Sequence, residues 1–107
     1  VPEPLHWRTA VIRHVVLFKF KPGIDWSDPR AQAAERTTSR IGDEVPELHE
    51  WRHGRNISDR AIAYDFLVEG LLDDMDAVGR YLVHPFHQDA IVQWREISDW
   101  VMVDVEA

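Results

Sequence analysis

Three side chains that can exchange protons or share them in hydrogen bonds near neutral pH lie close together in the segment Tyr81-Leu82-Val83-His84-Pro85-Phe86-His87. Tyr81 and His84 are three residues apart, which places them on one face of a helix. Pro85 fits the first turn of a new helix, and a break at this position turns His87 inward. The segment predicts either an acid–base site or histidines that cap a helix and satisfy buried backbone groups.

The chemistry of such a site follows from the position of His87 in the first turn of the second helix. The helix N-terminus carries a partial positive charge, which disfavours the imidazolium form of this side chain. A neutral His87 can remove a proton from a carbon next to a carbonyl group, while the Tyr81 hydroxyl hydrogen-bonds the developing enolate. A working site of this kind would act on a small activated carbonyl compound.

Composition excludes several classes of function. The 107 residues suffice for one domain, and their net charge of −7 provides no basic surface for nucleic acid. The chain has no cysteine for a disulfide or a thiolate nucleophile, and no apolar run approaches the ~20 residues that cross a membrane. Residues 1–10 lack the features of a secretory signal, so we interpret them as an N-terminal extension and expect a cytoplasmic protein.

Alternation, turn residues and helix caps predict the order strand, helix, strand, strand, split helix, strand. The predicted strands are residues 11–20, 48–55, 61–69 and 100–105, the second near a sheet edge. Pro29 opens the first helix, which ends near Ile41 with Gly42 at its exit, and the split helix begins at Asp73-Asp74, buries Met75, Val78 and Leu82, and resumes from Pro85 to about Ile97. This order predicts an α+β fold with helices on one side of a mostly antiparallel sheet.

The second face of the predicted sheet carries Val15, Leu17 and Leu67 with only scattered charges. An apolar face of this size in a small protein usually has a partner. Two copies that stack sheet on sheet would bury it, and a twofold dimer is the commonest closed arrangement. We therefore predict a homodimer.

Four motifs, in the same order and at suitable distances, resemble the stress-responsive dimeric A/B barrel (Dabb) family. They are Ile12-Arg13-His14-Val15-Val16-Leu17-Phe18-Lys19-Phe20-Lys21-Pro22-Gly23, Gly54-Arg55-Asn56, the segment from Tyr81 to His87, and Val101-Met102-Val103-Asp104. The resemblance covers residues 11–105. It implies a ferredoxin-like subunit with a four-stranded antiparallel sheet, which pairs into a dimeric α+β barrel.

The resemblance also implies candidate site residues. The family includes stress-induced proteins without a known activity and a plant polyketide cyclase that closes a ring by aldol chemistry without a cofactor. Its working tyrosine and histidine fall on Tyr81 and His87, and a pocket histidine of its first strand falls on His14; a further pocket histidine falls on Asp65, where this sequence departs from the cyclase. Between sheet and helices we expect six side chains to contact a ligand: Val16, Phe18, Tyr64, Phe66, His84 and Phe86.

Two alternatives to a catalytic site remain open in the sequence. The protein could bind an apolar molecule or serve a structural role without catalysing a reaction. A metal ion could instead be held by His84 and His87 with His14 or Asp65, but structural zinc often uses thiolates, and Pro85 alters the helical spacing of the two histidines. We predict no metal and no cofactor.

Overall fold

The computed structural model describes residues 10–107, so that all but the last residue of the predicted N-terminal extension lies outside the described residues. The strands are β1 (Ile12–Phe20), β2 (Leu48–Arg55), β3 (Phe66–Leu72) and β4 (Ser98–Glu106). The helices are α1 (Pro29–Ser39), the single turn α2 (Ile41–Glu44), α3 (Met75–Val83) and α4 (Pro85–Ile97). No helix within residues 10–107 has the length and apolar character needed to span a membrane.

The four strands form one antiparallel sheet in the order β2-β3-β1-β4. This order, with the connections β1-α-β2-β3-α-β4, is the ferredoxin-like arrangement, and it confirms the predicted fold class. β2 lies at an edge, as its polar sequence indicated. The sheet therefore has an inner face against the helices and an outer face that the subunit leaves uncovered.

The inner face is built from the row of β1 that alternates with Val15 and Leu17. Ile12, His14, Val16 and Phe18 are all buried. The indole of Trp94 on α4 stacks on Phe18, with ring centroids 4.4 Å apart. Aromatic packing thus joins the sheet to the helix layer.

Local sequence signals set the starts of the helices. The Asp28 carboxylate accepts a hydrogen bond from the backbone N–H of Arg30 at 2.9 Å, and Pro29 occupies the first turn of α1. The Asp74 carboxylate caps α3 in the same way, accepting from the N–H of Ala77 at 2.8 Å. These starts and the break at Pro85 confirm the sequence-based predictions.

The predicted bounds of the third strand were wrong, because β3 begins and ends later than residues 61–69. The Asn56 side chain forms a local turn with the backbone of Ser58, and Ile62 is 74% exposed in the loop that follows. At the other end Gly70 continues the strand, because Leu48 and Trp51 of β2 occupy the space of its missing side chain. A glycine that reads as a strand end in sequence is here a site of close packing.

Gly42 does not end the first helix, as its sequence position had suggested. Helix α1 ends at Ser39, and Gly42 lies within the turn α2 beneath the indole of Trp51. A Cβ atom at this position would stand 2.7 Å from the Cβ of Trp51. Close approach of the two backbones, rather than helix termination, explains the glycine.

This contact predicts opposite effects for two glycine substitutions. Gly42→Ala should lower the free energy of unfolding by about 1–3 kcal/mol, because the Trp51 Cβ is fixed to its backbone and cannot move aside. Gly79→Ala is the matched control: nothing lies within 4 Å of its Cβ position in α3, so helix propensity alone should raise the free energy by about 0.5–1 kcal/mol. Urea unfolding of both variants measures the difference, and a stabilising Gly42→Ala would contradict the packing described.

Candidate functional site

Tyr81 stands at the centre of the candidate site. The buried side chains of α3 are Ala77, Val78 and Tyr81, with Tyr81 only 1% exposed. The prediction that Leu82 belongs to this stripe was wrong, because the phase of the helix leaves Leu82 40% exposed. The phenol ring lies next to two imidazoles: its centroid is 5.3 Å from that of His14 and 4.2 Å from that of His87.

The junction of α3 and α4 places His87. His84 adopts an extended backbone conformation, and its Nδ1 accepts a hydrogen bond from the N–H of Phe86 at 3.1 Å. The His84 cap and Pro85, the first residue of α4, start the helix. They place His87 in the first turn with its side chain buried. The Nδ1 of His87 donates to the Leu82 carbonyl oxygen at 3.1 Å, so the neutral ring keeps its lone pair on Nε2.

Burial sets the charge of His87. Removal from water lowers the pKa of this imidazole below its ordinary value of 6.5, and the nearby His14 and His84 act in the same direction. The hydrogen bond to the Leu82 carbonyl opposes them. The neutral state agrees with the sequence-based expectation, although burial rather than the helix N-terminus is the main cause.

His14 is paired with a carboxylate that the sequence analysis did not single out. Its Nδ1 lies 2.5 Å from the Oδ1 of Asp104, its cross-strand partner on β4, and its side chain is 3% exposed. The carboxylate can only accept, so Nδ1 donates and Nε2 is the ring nitrogen left for a ligand. One signal did exist in the sequence, because Asp104 belongs to the inward row of β4 that also holds Trp100 and Met102.

Tyr81 can donate a hydrogen bond but cannot serve as a base near neutral pH. Desolvation raises the pKa of its phenol far above the ordinary value, and the charge of Asp104 raises it further. Within residues 10–107 the Tyr81 hydroxyl has no hydrogen-bond partner. Its proton is therefore available to a bound molecule.

These three rings form the polar end of a cavity of about 250 Å³ between the sheet and the helices. The rest of the lining is almost entirely apolar, with Val16 and Val68 on the sheet and Ala90 on α4. Leu82 and Met102, which are 40% and 50% exposed, lie at its mouth. An apolar enclosure with a few convergent polar groups is typical of a small-molecule site.

The structure brings together only some of the predicted site residues. His14, Val16, Phe18, Tyr81 and His87 line the cavity. The aromatic lining residues Trp51, Trp94 and Trp100 were missed, although Trp100 could have been found from the inward row of β4.

Four predicted ligand contacts lie elsewhere. Phe66 is 2% exposed and stacks on Trp94 in the core, while Tyr64 borders a separate surface hollow beside Leu67. His84 caps α4, and Phe86 lies beneath the Arg40 guanidinium, 5.2 Å from its ring centroid. Their contact with a ligand stays a prediction that the cavity lining does not support.

The residues proposed for an alternative metal site are engaged elsewhere. Asp65 accepts a hydrogen bond from the N–H of Phe20 at 2.8 Å, and the Nδ1 of His84 accepts from the N–H of Phe86. Within residues 10–107 no three His, Cys, Asp or Glu side chains converge in a way that could hold an ion.

Comparison with known proteins identifies the family. Residues 12–107 match the family described as the stress-responsive A/B barrel domain. The chain belongs to this A/B barrel family. An uncharacterised protein from Streptomyces coelicolor is 44% identical over 96 residues, which are 90% of this chain and 99% of that protein.

Solved structures of other proteins resemble the fold of this A/B barrel protein. A dimeric ferredoxin-like protein of unknown function from Thermobifida fusca has a TM-score of 0.81 at 26% identity, with 100% of both chains covered. The hydroxynitrile lyase of Passiflora edulis has a TM-score of 0.77 at 14% identity, with 92% of this chain and 94% of the lyase covered. At that identity the second likeness shows the fold alone.

Proposed function

We propose that the protein is a homodimeric α+β barrel in which each subunit binds a small apolar carbonyl compound and catalyses cofactor-free bond formation or cleavage at the carbon next to the carbonyl. The observation that carries the proposal is the set of three rings at the polar end of the cavity. His87 supplies an unprotonated Nε2 beside a phenol that keeps its proton. A base and a hydrogen-bond donor at one point are what enolate chemistry needs.

In the aldol direction, His87 Nε2 takes a proton from the carbon next to a carbonyl group of the ligand. The electron pair of the broken C–H bond moves to the carbonyl oxygen, and the Tyr81 hydroxyl donates a hydrogen bond to the enolate oxygen. The enolate carbon then attacks a second carbonyl, forming the new C–C bond. The alkoxide produced takes back the proton from His87 Nε2, so that charge and protons balance.

His14 acts as a positioning residue or a second donor in this scheme. Its hydrogen bond to Asp104 holds the ring in one orientation, with the other nitrogen free for the ligand.

The site chemistry also suits the kind of reaction for which hydroxynitrile lyase, a protein that shares this fold, is named. In the cleavage of a hydroxynitrile, the base takes the hydroxyl proton, the carbonyl group forms as the C–C bond to the nitrile carbon breaks, and the departing cyanide takes the proton from the base. The same base and donor serve this reaction, so the proposed class includes both directions of carbonyl C–C chemistry. A non-catalytic protein that only binds the carbonyl compound, or serves a structural role, is the second candidate.

Proton exchange tests the proposal without knowledge of the natural substrate. The protein should accelerate hydrogen–deuterium exchange at the carbon between the two carbonyl groups of a β-diketone, followed by NMR against a buffer blank at each pH. Binding without exchange would favour the non-catalytic candidate. The absence of both would contradict the proposed function.

The pH profile of this exchange has a predicted shape. Because burial lowers the pKa of His87, the base is more fully deprotonated at pH 7 than an ordinary imidazole, and the rate should fall only when pH drops through the lowered pKa. The midpoint is therefore expected below 6.5, the ordinary value for imidazole. A midpoint at or above that value would contradict the assignment of His87 as the base.

The outer face of the sheet supports the dimer. Seven apolar side chains occupy it, in alternating positions that the strand register sets side by side: Val15, Leu17, Leu67, Leu71, Val101, Val103 and Val105. The three valines of β4 are 44–50% exposed in the subunit. A stable interface of standard size buries about 800 Å² per partner, and the Thermobifida fusca structure with this fold is dimeric.

A further inference from the structure

The end of the cavity opposite the three polar rings is built from flat aromatic side chains. Phe18 follows His14 by four residues on β1, and at ~3.3 Å per residue the two lie about 13 Å apart along the inner face. The Phe18 ring stacks on Trp94 and lies 5.6 Å from the Trp100 centroid at an angle of 56°. All three rings line the cavity.

We propose that the cavity takes an uncharged aryl ketone or aryl β-diketone, with its carbonyl groups at Tyr81 and His87 and its flat ring at Phe18 and Trp100. This assignment of the ligand class rests on the function proposed above. It adds to that function a second recognition element, which selects the apolar half of the ligand.

The lining favours a ligand without charge. Its titratable side chains are His14, Tyr81 and His87, and no lysine or arginine of residues 10–107 reaches it. A carboxylate or phosphate would lose its hydration without a fixed cation to replace it. The Asp104 carboxylate behind His14 adds negative charge near the polar end, which disfavours an anion further.

The aromatic end favours a flat ring over a flexible chain. The Arg95 guanidinium lies 5.9 Å from the Trp100 ring centroid, which restrains this half-buried indole where it lines the cavity. Aromatic rings prefer tilted or offset contacts at 4.5–7 Å, and such contacts add to the gain from burial. Met102 at the mouth offers a thioether, which also interacts favourably with aromatic rings.

Two matched ligands test this ligand class on the unmodified protein. Benzoylacetone and its cyclohexyl analogue have the same number of carbon and oxygen atoms and the same β-diketone group, and they differ in whether the ring is flat and aromatic. Isothermal calorimetry should show about two- to tenfold tighter binding of benzoylacetone. Equal or weaker binding would overturn the aryl assignment while leaving the proposed function intact, and binding of neither compound would remove both.

A variant of Trp100 tests the aromatic contact, and a charged ligand tests the requirement for an uncharged molecule. Trp100→Leu should abolish the preference for benzoylacetone, while the control Tyr64→Leu, which removes an aromatic ring outside the cavity, should keep it. A preference that survives in Trp100→Leu would overturn the aromatic assignment. Benzoylacetone with a carboxylate on its ring should bind at least about tenfold more weakly, and equal binding would overturn the requirement for an uncharged ligand.

Discussion

Replacing His87 with glutamine is expected to lower the rate of β-diketone exchange by about 100- to 10,000-fold, the usual contribution of a general base. Glutamine has similar size and polarity but cannot take the proton. The fold should persist, because the Leu82 carbonyl oxygen also accepts a hydrogen bond from the Gln88 side chain at 2.5 Å. Ligand affinity should change far less than the rate, since the aromatic end of the cavity is untouched.

His49→Gln is the matched control for this variant. His49 is exposed on β2, where its Nε2 lies 2.6 Å from an Asp73 carboxylate oxygen, and it has no contact with the cavity. Initial exchange rates at pH 7 for both variants, with calorimetric affinities, separate loss of chemistry from loss of binding. If His87→Gln keeps the full rate while the control also does, His87 is not the base.

Placing a lysine at Val103 is expected to abolish the dimer. Val103 lies in the middle of β4 on the outer face, opposite Val15 of β1, and is 50% exposed in the subunit. A charge buried in an apolar interface costs several kcal/mol, and twofold symmetry introduces it twice. The dissociation constant of the dimer should therefore rise by at least about 100-fold.

Ile57→Lys is the control, because Ile57 is fully exposed in the β2–β3 loop and outside the outer face. Sedimentation equilibrium across a range of concentrations measures both variants and the unmodified protein. An unmodified protein that stays monomeric at micromolar concentration would contradict the proposed dimer. A Val103→Lys variant that still dimerises would assign the contact to a different surface.

The two predictions probe the two sides of the sheet, because His87 lies in the helix layer over its inner face and Val103 lies on its outer face. The alternation of strand residues between these faces is what the sequence encodes most directly. In β1 the residues Ile12, His14, Val16 and Phe18 face the helices, while Val15 and Leu17 face outward. The period of two follows from backbone geometry, so it can be seen within a few residues. In this way the sequence placed Val15 and Leu17 on the outer face, whereas the expectation of His14 in the pocket came from the family resemblance.

Position within the cavity could not be predicted in the same way. Tyr64 and Phe66 have the same strand-like alternation as Val16, yet Tyr64 lies before β3 and Phe66 packs against Trp94. Whether an inward side chain meets a helix or an open space depends on where the helices cross the sheet. That crossing is set by packing over the whole inner face, which no local pattern describes.

The sequence by itself determined the features that depend on neighbouring residues: the two rows of β1, the capped starts of α1 and α3, and the break at Pro85 that turns His87 inward. Only the tertiary structure decided that Asp104, 90 residues from His14, supports its imidazole, and that Gly42 makes room for Trp51. Caps, turns and alternation are encoded over a few residues, because they arise from backbone hydrogen bonds and local steric limits. A contact across the chain depends on strand register and on packing, and those are fixed only when the whole sheet and its helices assemble.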